Sequence, residues 1–487
     1  MYSGKYRSDS PPFYRLLERT GSGKLSIESS SAIIIGSGIS GLTAAHKLQN
    51  AGYSVTVLEG SERVGGAMYT HSENRWLAEY GPNTILETHA KIKNLITELG
   101  LDEEKIYPGS VSSSRFIVKD KTLVPLPLSP TGFFTSPLFN WKSKLNLIRE
   151  PFIPKWQNNY EESLSEFVLR RLGQNFLDYA VNPFVAGVYA GDPHKLSVRH
   201  ALPKLYQLEQ DYGSLIKGQV KKAKLPAQNE EIPRNKAKMF SFRKGLKELP
   251  ETLASKLKTP IQFNAIVKHG QKVENGWQVE FQQNNESKTL IAENLIYAGT
   301  GHQLANCKII NNKELDLSFG NEIEYPPVSV ITLGYHKDQV QHGLNGFGLL
   351  VPGVENLQIL GALFNSSLFP GRAPENHVSL TVFIGGVRQP ELALETEEKR
   401  LEIAMQDLGI LLGITGSPTF VFHKQWKKAI PQYNVGYGEI KSKFQRLEKD
   451  NIGLYFTGNY REGISVADTI LHALQTADQI ISTNNIN

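Results

Sequence analysis

The chain has 487 residues, 40% of them hydrophobic and 21% charged, with a net charge of +5. That is an ordinary globular balance, too modestly basic to indicate a nucleic-acid partner, and the length predicts two or three subdomains rather than one core. The single cysteine, Cys307, excludes an intrachain disulfide and reads as a small core residue. No apolar run approaches the length of a membrane span.

Residues 1–30 are rich in Ser, with Arg and Lys interspersed, and are expected to be a disordered tail. The absence of an apolar core there speaks against a signal peptide, and Asp9, Glu18 and Glu28 speak against a transit peptide. The apolar run Ile33-Ile34-Ile35 then enters Gly36-Ser37-Gly38-Ile39-Ser40-Gly41, which predicts a strand, a glycine turn and a helix over Leu42–Leu48. In such a unit Gly36 permits the tight turn and Gly38 lets backbone approach a pyrophosphate. Gly41 lets the helix pack closely, and the helix N-terminus offers N–H groups and positive dipole. A second strand, Thr56-Val57-Leu58, ends on Glu59, an acceptor for a ribose diol. The unit predicts a dinucleotide and redox chemistry; the competing reading is a doubly wound fold whose glycines serve packing alone.

From about 110 to 215 the pattern is mostly helical, as in Ser163–Leu172 and Phe176–Phe184. Prolines and aromatics crowd its first part (Pro125, Pro127, Phe133, Phe134, Phe139, Trp141, Phe152, Trp156), which suits a buried lid or a membrane-facing surface. Segment 217–247 is strongly basic and reads as a solvated loop, with attraction to anionic lipid as the alternative. Strands are expected within 261–300 and, with alternation and glycine punctuation, an antiparallel sheet over 328–386. A helix over Glu397–Leu412, a strand at Gly453–Thr457 and a helix from about Val466 complete the chain. No metal-ligand spacing or nucleophilic triad is visible, and neither His194 nor His200 has a partner legible in sequence.

The segment Arg63-Val64-Gly65-Gly66, just after the ribose acid, resembles the FAD-binding amine oxidase superfamily, which favours FAD over NAD. Three further segments narrow the resemblance: Tyr80-Gly81-Pro82-Asn83-Thr84, the run Asn182–Pro193 containing Phe184-Val185-Ala186-Gly187-Val188-Tyr189-Ala190-Gly191-Asp192-Pro193, and Tyr455-Phe456-Thr457-Gly458-Asn459-Tyr460 leading to Gly463-Ile464-Ser465-Val466. Together they closely resemble the oxygen-dependent porphyrinogen oxidases, over about residues 32 to 480.

The resemblance implies an α/β fold in three parts. A discontinuous, Rossmann-like FAD-binding domain would use 31–110, 246–325 and 429–487. An α+β substrate domain with a mixed or antiparallel sheet would use 326–428. A mostly helical, membrane-associating insertion would span 111–215, followed by a basic loop over 216–245. It further implies oxidation of protoporphyrinogen IX to protoporphyrin IX in haem biosynthesis by three two-electron steps, with O₂ reoxidising the flavin; coproporphyrinogen III is the alternative substrate. A flavin amine oxidase, a carotenoid desaturase and a non-catalytic FAD- or tetrapyrrole-binding protein are competing readings.

Carried over residue by residue, Gly36, Gly38, Ser40 and Gly41 would surround the pyrophosphate and Glu59 the ribose. Arg63, Gly65, Gly66, Gly81, Pro82 and Asn83 would lie on the flavin side, Val267 would address adenine, and Gly458, Asn459, Gly463, Ile464 and Ser465 would close over the cofactor. Asn83 and Gly187 would stand nearest the reacting centre, Gly187 through its backbone. Arg115 would pair with a propionate, and Leu349, Leu363 and Phe383 would sandwich the macrocycle. The implied setting is peripheral, on the cytoplasmic face of a bacterial membrane or on an organellar one. It allows a homodimer and a hand-off of product to a chelatase. Departures from the pattern are Ser37 in the first glycine turn and the strand end Tyr297-Ala298-Gly299-Thr300-Gly301-His302.

Overall fold

The computed structural model describes residues 30–109, 114–157, 160–224, 231–232 and 237–484. The tail expected over 1–30 lies outside them except for Ser30. Four parallel strands form one sheet in the order Ser54–Leu58, Ser31–Ile35, Asn294–Tyr297, Leu454–Phe456. These strands are apolar on both faces because both are covered, as a parallel sheet requires. On one side Ile34 and Val57 pack against Ala44, Ala45 and Leu48 of the helix Ile39–Asn50 and Ala473, Ala477 and Ile480 of the helix Val466–Asn484. On the other, Ile33 and Leu295 meet Trp277, Val279 and Phe281 of a five-stranded sheet. Cys307 packs at the margin of that core, and burial pushes its thiol up to about 11, so it is an inert thiol at neutral pH.

A seven-stranded sheet runs in the order Phe420–Trp426, Val328–His336, His377–Gly385, Ile359–Leu363, Gly348–Leu350, Arg115–Lys119, Thr122–Pro125. All its pairings are antiparallel except that between Gly348–Leu350 and Arg115–Lys119. The helix Glu397–Leu412 covers one face through Ile403, Ala404, Leu408 and Leu411. The sheet is not contained in 326–428: its far edge is the hairpin 115–125, from a stretch expected to be helical. Asp120 and Lys121 both take left-handed backbone angles (φ +52° and +57°), which suits a two-residue hairpin turn. Neither is glycine, so the usual turn signature is missing.

Helices dominate 130–224, and a buried charge network ties several of them together. The Arg171 guanidinium contacts Glu209 and, at 2.6 Å, Glu150. Arg170 reaches Glu162 at 2.7 Å and Glu209 at 2.8 Å. Glu150 also accepts from the Ser214 hydroxyl (2.6 Å) and the Leu215 amide (2.8 Å), so it caps the helix Leu215–Lys224. Removing one member strands a buried charge, a loss of about 3–5 kcal/mol.

The solvated-loop reading of 217–247 is corrected at both ends. The first part is that helix, because lysine is a good helix former and projects its charge outward. Near the other end lies the strand Met239–Phe242, with Phe240 and Phe242 fully buried.

Candidate functional site: a glycine-lined cleft at the edge of the parallel sheet

Because the four strands are parallel and in register, their carboxyl ends and following loops share one edge. The first loop is closed by Gly36 N–H donating to Leu58 O at 2.8 Å, with Gly36 at φ +106°. A side chain at Gly41 would bring its Cβ to 2.0 Å from Gly36 O, so helix and turn fit only with glycine there. At Gly38, the N-cap of the helix, a Cβ would meet nothing within 4 Å. The space in front of the helix is therefore open to a ligand, and buried Ser40 follows in the first turn. Packing requires glycine at Gly41, whereas at Gly38 the chain leaves room for a side chain that only a ligand would exclude.

The second loop is latched to the first. Gly65 N–H donates to Ser37 O at 2.9 Å, and a Cβ on Gly66 would approach Gly38 Cα at 3.6 Å. Arg63 shapes the turn by donating to Val64 O and Gly66 O and lies over the rings of Tyr69 and Tyr80. Glu59 stands at the end of its strand. Burial would raise its carboxyl, but hydrogen bonds from the Ser37 and Ser61 hydroxyls and amides (2.7–2.9 Å) outweigh that and hold it below the usual range. Ser37, the departure noted in the first turn, thus holds the acid in its charged form. The Glu59 backbone carbonyl accepts from Ala265 N–H at 2.9 Å, which brings the segment leading to Val267 to the same edge.

The last loop carries Gly458 (φ +153°) and Gly463 (φ +149°), where added Cβ atoms would strike the Tyr460 ring and Asp468. Asn459, Ile464 and Ser465 lie between them and the helix Val466–Asn484. Ser465 accepts from Asp468 N–H at 3.1 Å and donates to the Asp468 carboxylate at 2.6 Å. The carboxylate offsets part of the positive dipole at that helix end. The glycine cradle, the charged Glu59 carboxylate and the open face at Gly38 fit FAD: residues 36–41, 59–66 and 458–465 are the groups that would hold it.

Across the cleft, Gly81-Pro82-Asn83 is joined to the seven-stranded sheet by Trp426 Nε1–H donating to Tyr80 O at 2.7 Å. Asn83 donates to Gly81 O at 3.0 Å, so its amide shapes its own turn. Phe383, Leu363 and Arg115 stand on the sheet face not covered by the helix Glu397–Leu412, as the register and packing partners require. Arg115 is exposed, over the Phe347 ring at 5.2 Å. Gly187 lies in the last turn of the helix Asn182–Tyr189 and faces Leu350, whose Cδ2 would be 2.4 Å from an added Cβ.

Leu349 is a correction. It is buried among Ile331, Leu333, Val382 and Leu408 on the opposite, helix-covered face, and cannot share a wall with Leu363 and Phe383. Its neighbour Leu350 occupies the position expected of it, since one residue of register exchanges the faces of a strand.

Sequence reasoning missed Lys424, opposite Val330 on the open face and over the rings of Tyr80 and Trp426. Burial, with Arg63 close by, lowers its ammonium pKa. His200, without a legible partner in sequence, meets Glu161 at 3.4 Å. The contacts of Lys424 with Val330 and Tyr80, and of His200 with Glu161, join distant segments and carry no local motif.

The family model described as flavin containing amine oxidoreductase matches residues 39–481. Protoporphyrinogen oxidase 2 of Arabidopsis thaliana, chloroplastic/mitochondrial, is 33% identical over 478 residues, covering 92% of this chain and 93% of that one. Coproporphyrinogen III oxidase of Bacillus subtilis is 27% identical, covering 90% of this chain and 95% of that one. A crystal structure from Exiguobacterium sp. 255-15, whose assignment as a protoporphyrinogen oxidase is provisional, superposes with a TM-score of 0.78 at 22% identity, over 94% of this chain and all of that one. The chain belongs to the flavin-containing amine oxidoreductase family, on its porphyrinogen oxidase branch, and is an FAD-dependent oxidoreductase.

Proposed function

We propose that the chain oxidises a porphyrinogen to the porphyrin, with protoporphyrinogen IX as the substrate and O₂ as the final acceptor. The observation that carries this is the pairing of the glycine cradle with an apolar sheet face that ends at Arg115 and is flanked by exposed Gly187. Bound FAD supplies a two-electron acceptor, used three times for the six hydrogens removed. The chain's part is to hold a flat, wide, apolar substrate against that acceptor and to keep water out. Leu363, Phe383 and Leu350 offer the apolar wall. The last helical bond runs from Ala190 N–H to Ala186 O and the Gly191 amide turns back to Val185 O, so neither amide is directed at the Gly187 carbonyl, which can accept from ring N–H groups. Arg115 offers a planar fork for a propionate.

Coproporphyrinogen III, with more carboxylates, is the second reading, favoured by Lys424 as a further cation on the same face. The test is porphyrin fluorescence growth in air with both porphyrinogens, against autoxidation blanks and Gly38→Val. FAD-dependent growth upholds the reading, and the ratio of rates selects the substrate. Growth at the blank rate by FAD-loaded protein overturns it.

Membrane attachment is part of the proposal. Among the described residues no helix is long and apolar enough to cross a membrane. Trp141 (75% exposed), Leu145 and Ile148 fall at helical spacing on one face of the helix Trp141–Arg149, and Phe152 (83% exposed) continues the strip. Lys217 lies over the Phe152 ring at 5.7 Å, so a basic rim borders apolar side chains, which suits insertion into one anionic leaflet. Co-sedimentation with anionic vesicles should be lost in Trp141→Ser/Phe152→Ser; retained binding would remove this surface from the proposal. The bacterial or organellar setting, a homodimer and the hand-off to a chelatase stay secondary parts of the same reading.

A further inference from the structure

The segment 432–437 belongs to neither wall of the cleft, yet it bonds to both. Tyr433 is buried, and its hydroxyl donates to Asn459 O at 2.5 Å while accepting from Gly463 N–H at 3.0 Å. One phenol oxygen therefore spans the two ends of the loop 459–463. Tyr437, stacked on it with ring centroids 4.3 Å apart, donates to Tyr460 O at 2.6 Å. On the other side, buried Gln432 donates to Tyr189 O at 2.8 Å, at the end of the helix that carries Gly187. Its second amide hydrogen is directed to Ile430 O at 3.0 Å, which fixes the orientation of the group.

The Gln432 carbonyl oxygen is left buried without a partner among the described residues, facing Gly191. A Cβ at Gly191 would lie 2.3 Å from that oxygen, so glycine in the long motif matches the glutamine. Backbone bonds reinforce the junction: Ser197 N–H donates to Tyr433 O, and Val435 N–H to Lys195 O, both at 2.9 Å. Val435 and Gly436 face solvent, but the side chains of Gln432, Tyr433 and Tyr437 are buried and direct their polar groups at main-chain atoms of the two walls.

We infer that Gln432, Tyr433 and Tyr437 are positioning residues that fix the cofactor loop 458–465 relative to the Gly187 helix, and so set the approach of substrate to cofactor. The inference rests on the reading of those two elements as cofactor and substrate walls.

The test uses full-length holoprotein carrying Tyr433→Phe, Tyr437→Phe or Gln432→Leu. FAD affinity is read from flavin fluorescence on dissociation, and the rate of anaerobic bleaching of bound FAD is read at saturating protoporphyrinogen IX. Tyr433→Phe leaves the Gly463 amide unpaired and should weaken FAD about 10-fold or more. Gln432→Leu should leave FAD affinity within about twofold and slow bleaching roughly fivefold or more, a split that a merely structural residue would not produce. Folded Tyr433→Phe and Gln432→Leu with both quantities within about twofold of wild type would overturn the inference. If Tyr433→Phe does not fold, Tyr437→Phe carries the affinity readout by the same criterion. Retention of FAD by Gly38→Val would instead break the cofactor reading itself. Wild-type holoprotein that neither porphyrinogen bleaches would break the substrate reading and remove the Gln432 half of the inference.

Discussion

The cofactor cradle and the sheet face opposite it are built on different physical terms. The cradle is main chain: glycines bring backbone to within contact of backbone, and amide-to-carbonyl bonds latch one loop to the next. The sheet face is made of side chains whose direction depends on strand register. A cradle of that kind tolerates no added atom where backbone packs on backbone, as at Gly41, but is indifferent to most neighbouring side chains. A face of that kind tolerates conservative exchange at each position but is destroyed by a shift of one residue.

The largest expected effects divide the cradle itself. Gly41→Val forces a Cβ into Gly36 O and should abolish soluble folded protein, whereas Gly38→Val meets open space and should fold without FAD. Circular dichroism and the flavin absorbance of purified protein separate the two; stoichiometric FAD in Gly38→Val contradicts the assignment. On the sheet, Leu349→Ala should cost about 2–5 kcal/mol in denaturant unfolding with KM unchanged, as expected of a buried leucine. Leu363→Ala, on the other face, should raise KM with a smaller loss of stability. A raised KM for Leu349→Ala alone would return that residue to the pocket.

His472 probes the support behind the cradle. Its ring contacts Thr457, the residue before Gly458, at 3.1 Å, and burial, with Arg461 and Lys441 near, pushes it down to about 3. The folded-state value is depressed below the unfolded one, so this stability is present above about pH 6.5 and is lost as pH falls toward about 3. Between pH 6.5 and 5 the loss should be about 2 kcal/mol. Melting curves across that window should be steeper for wild type than for His472→Asn, and equal slopes would refute the assignment. The smallest effect is expected at Arg115, whose exposure screens its charge. Arg115→Ala should raise KM by a factor corresponding to about 1 kcal/mol, with kcat nearly unchanged.

Elements whose chemistry is local are legible in the sequence. Gly36, Gly38, Gly41, Glu59 and the Arg63–Gly66 turn lie within one strand–helix–strand stretch, and their spacing alone prescribes the turn and the open helix end. The hairpin 115–125 was not legible, because its left-handed turn is made by Asp120 and Lys121 rather than by glycine. The helix Leu215–Lys224 was hidden by its lysines, and its cap, Glu150, lies 65 residues earlier in the chain.

The sequence by itself determined the cofactor class and the family, because these depend on short-range spacing and on glycine at fixed positions. Tertiary structure alone decided which leucine faces the cleft and that Lys424 stands on the open face. It also decided that Gln432 and Tyr433 bridge the two walls. Those facts depend on strand register and on contacts between distant segments, which no local pattern encodes.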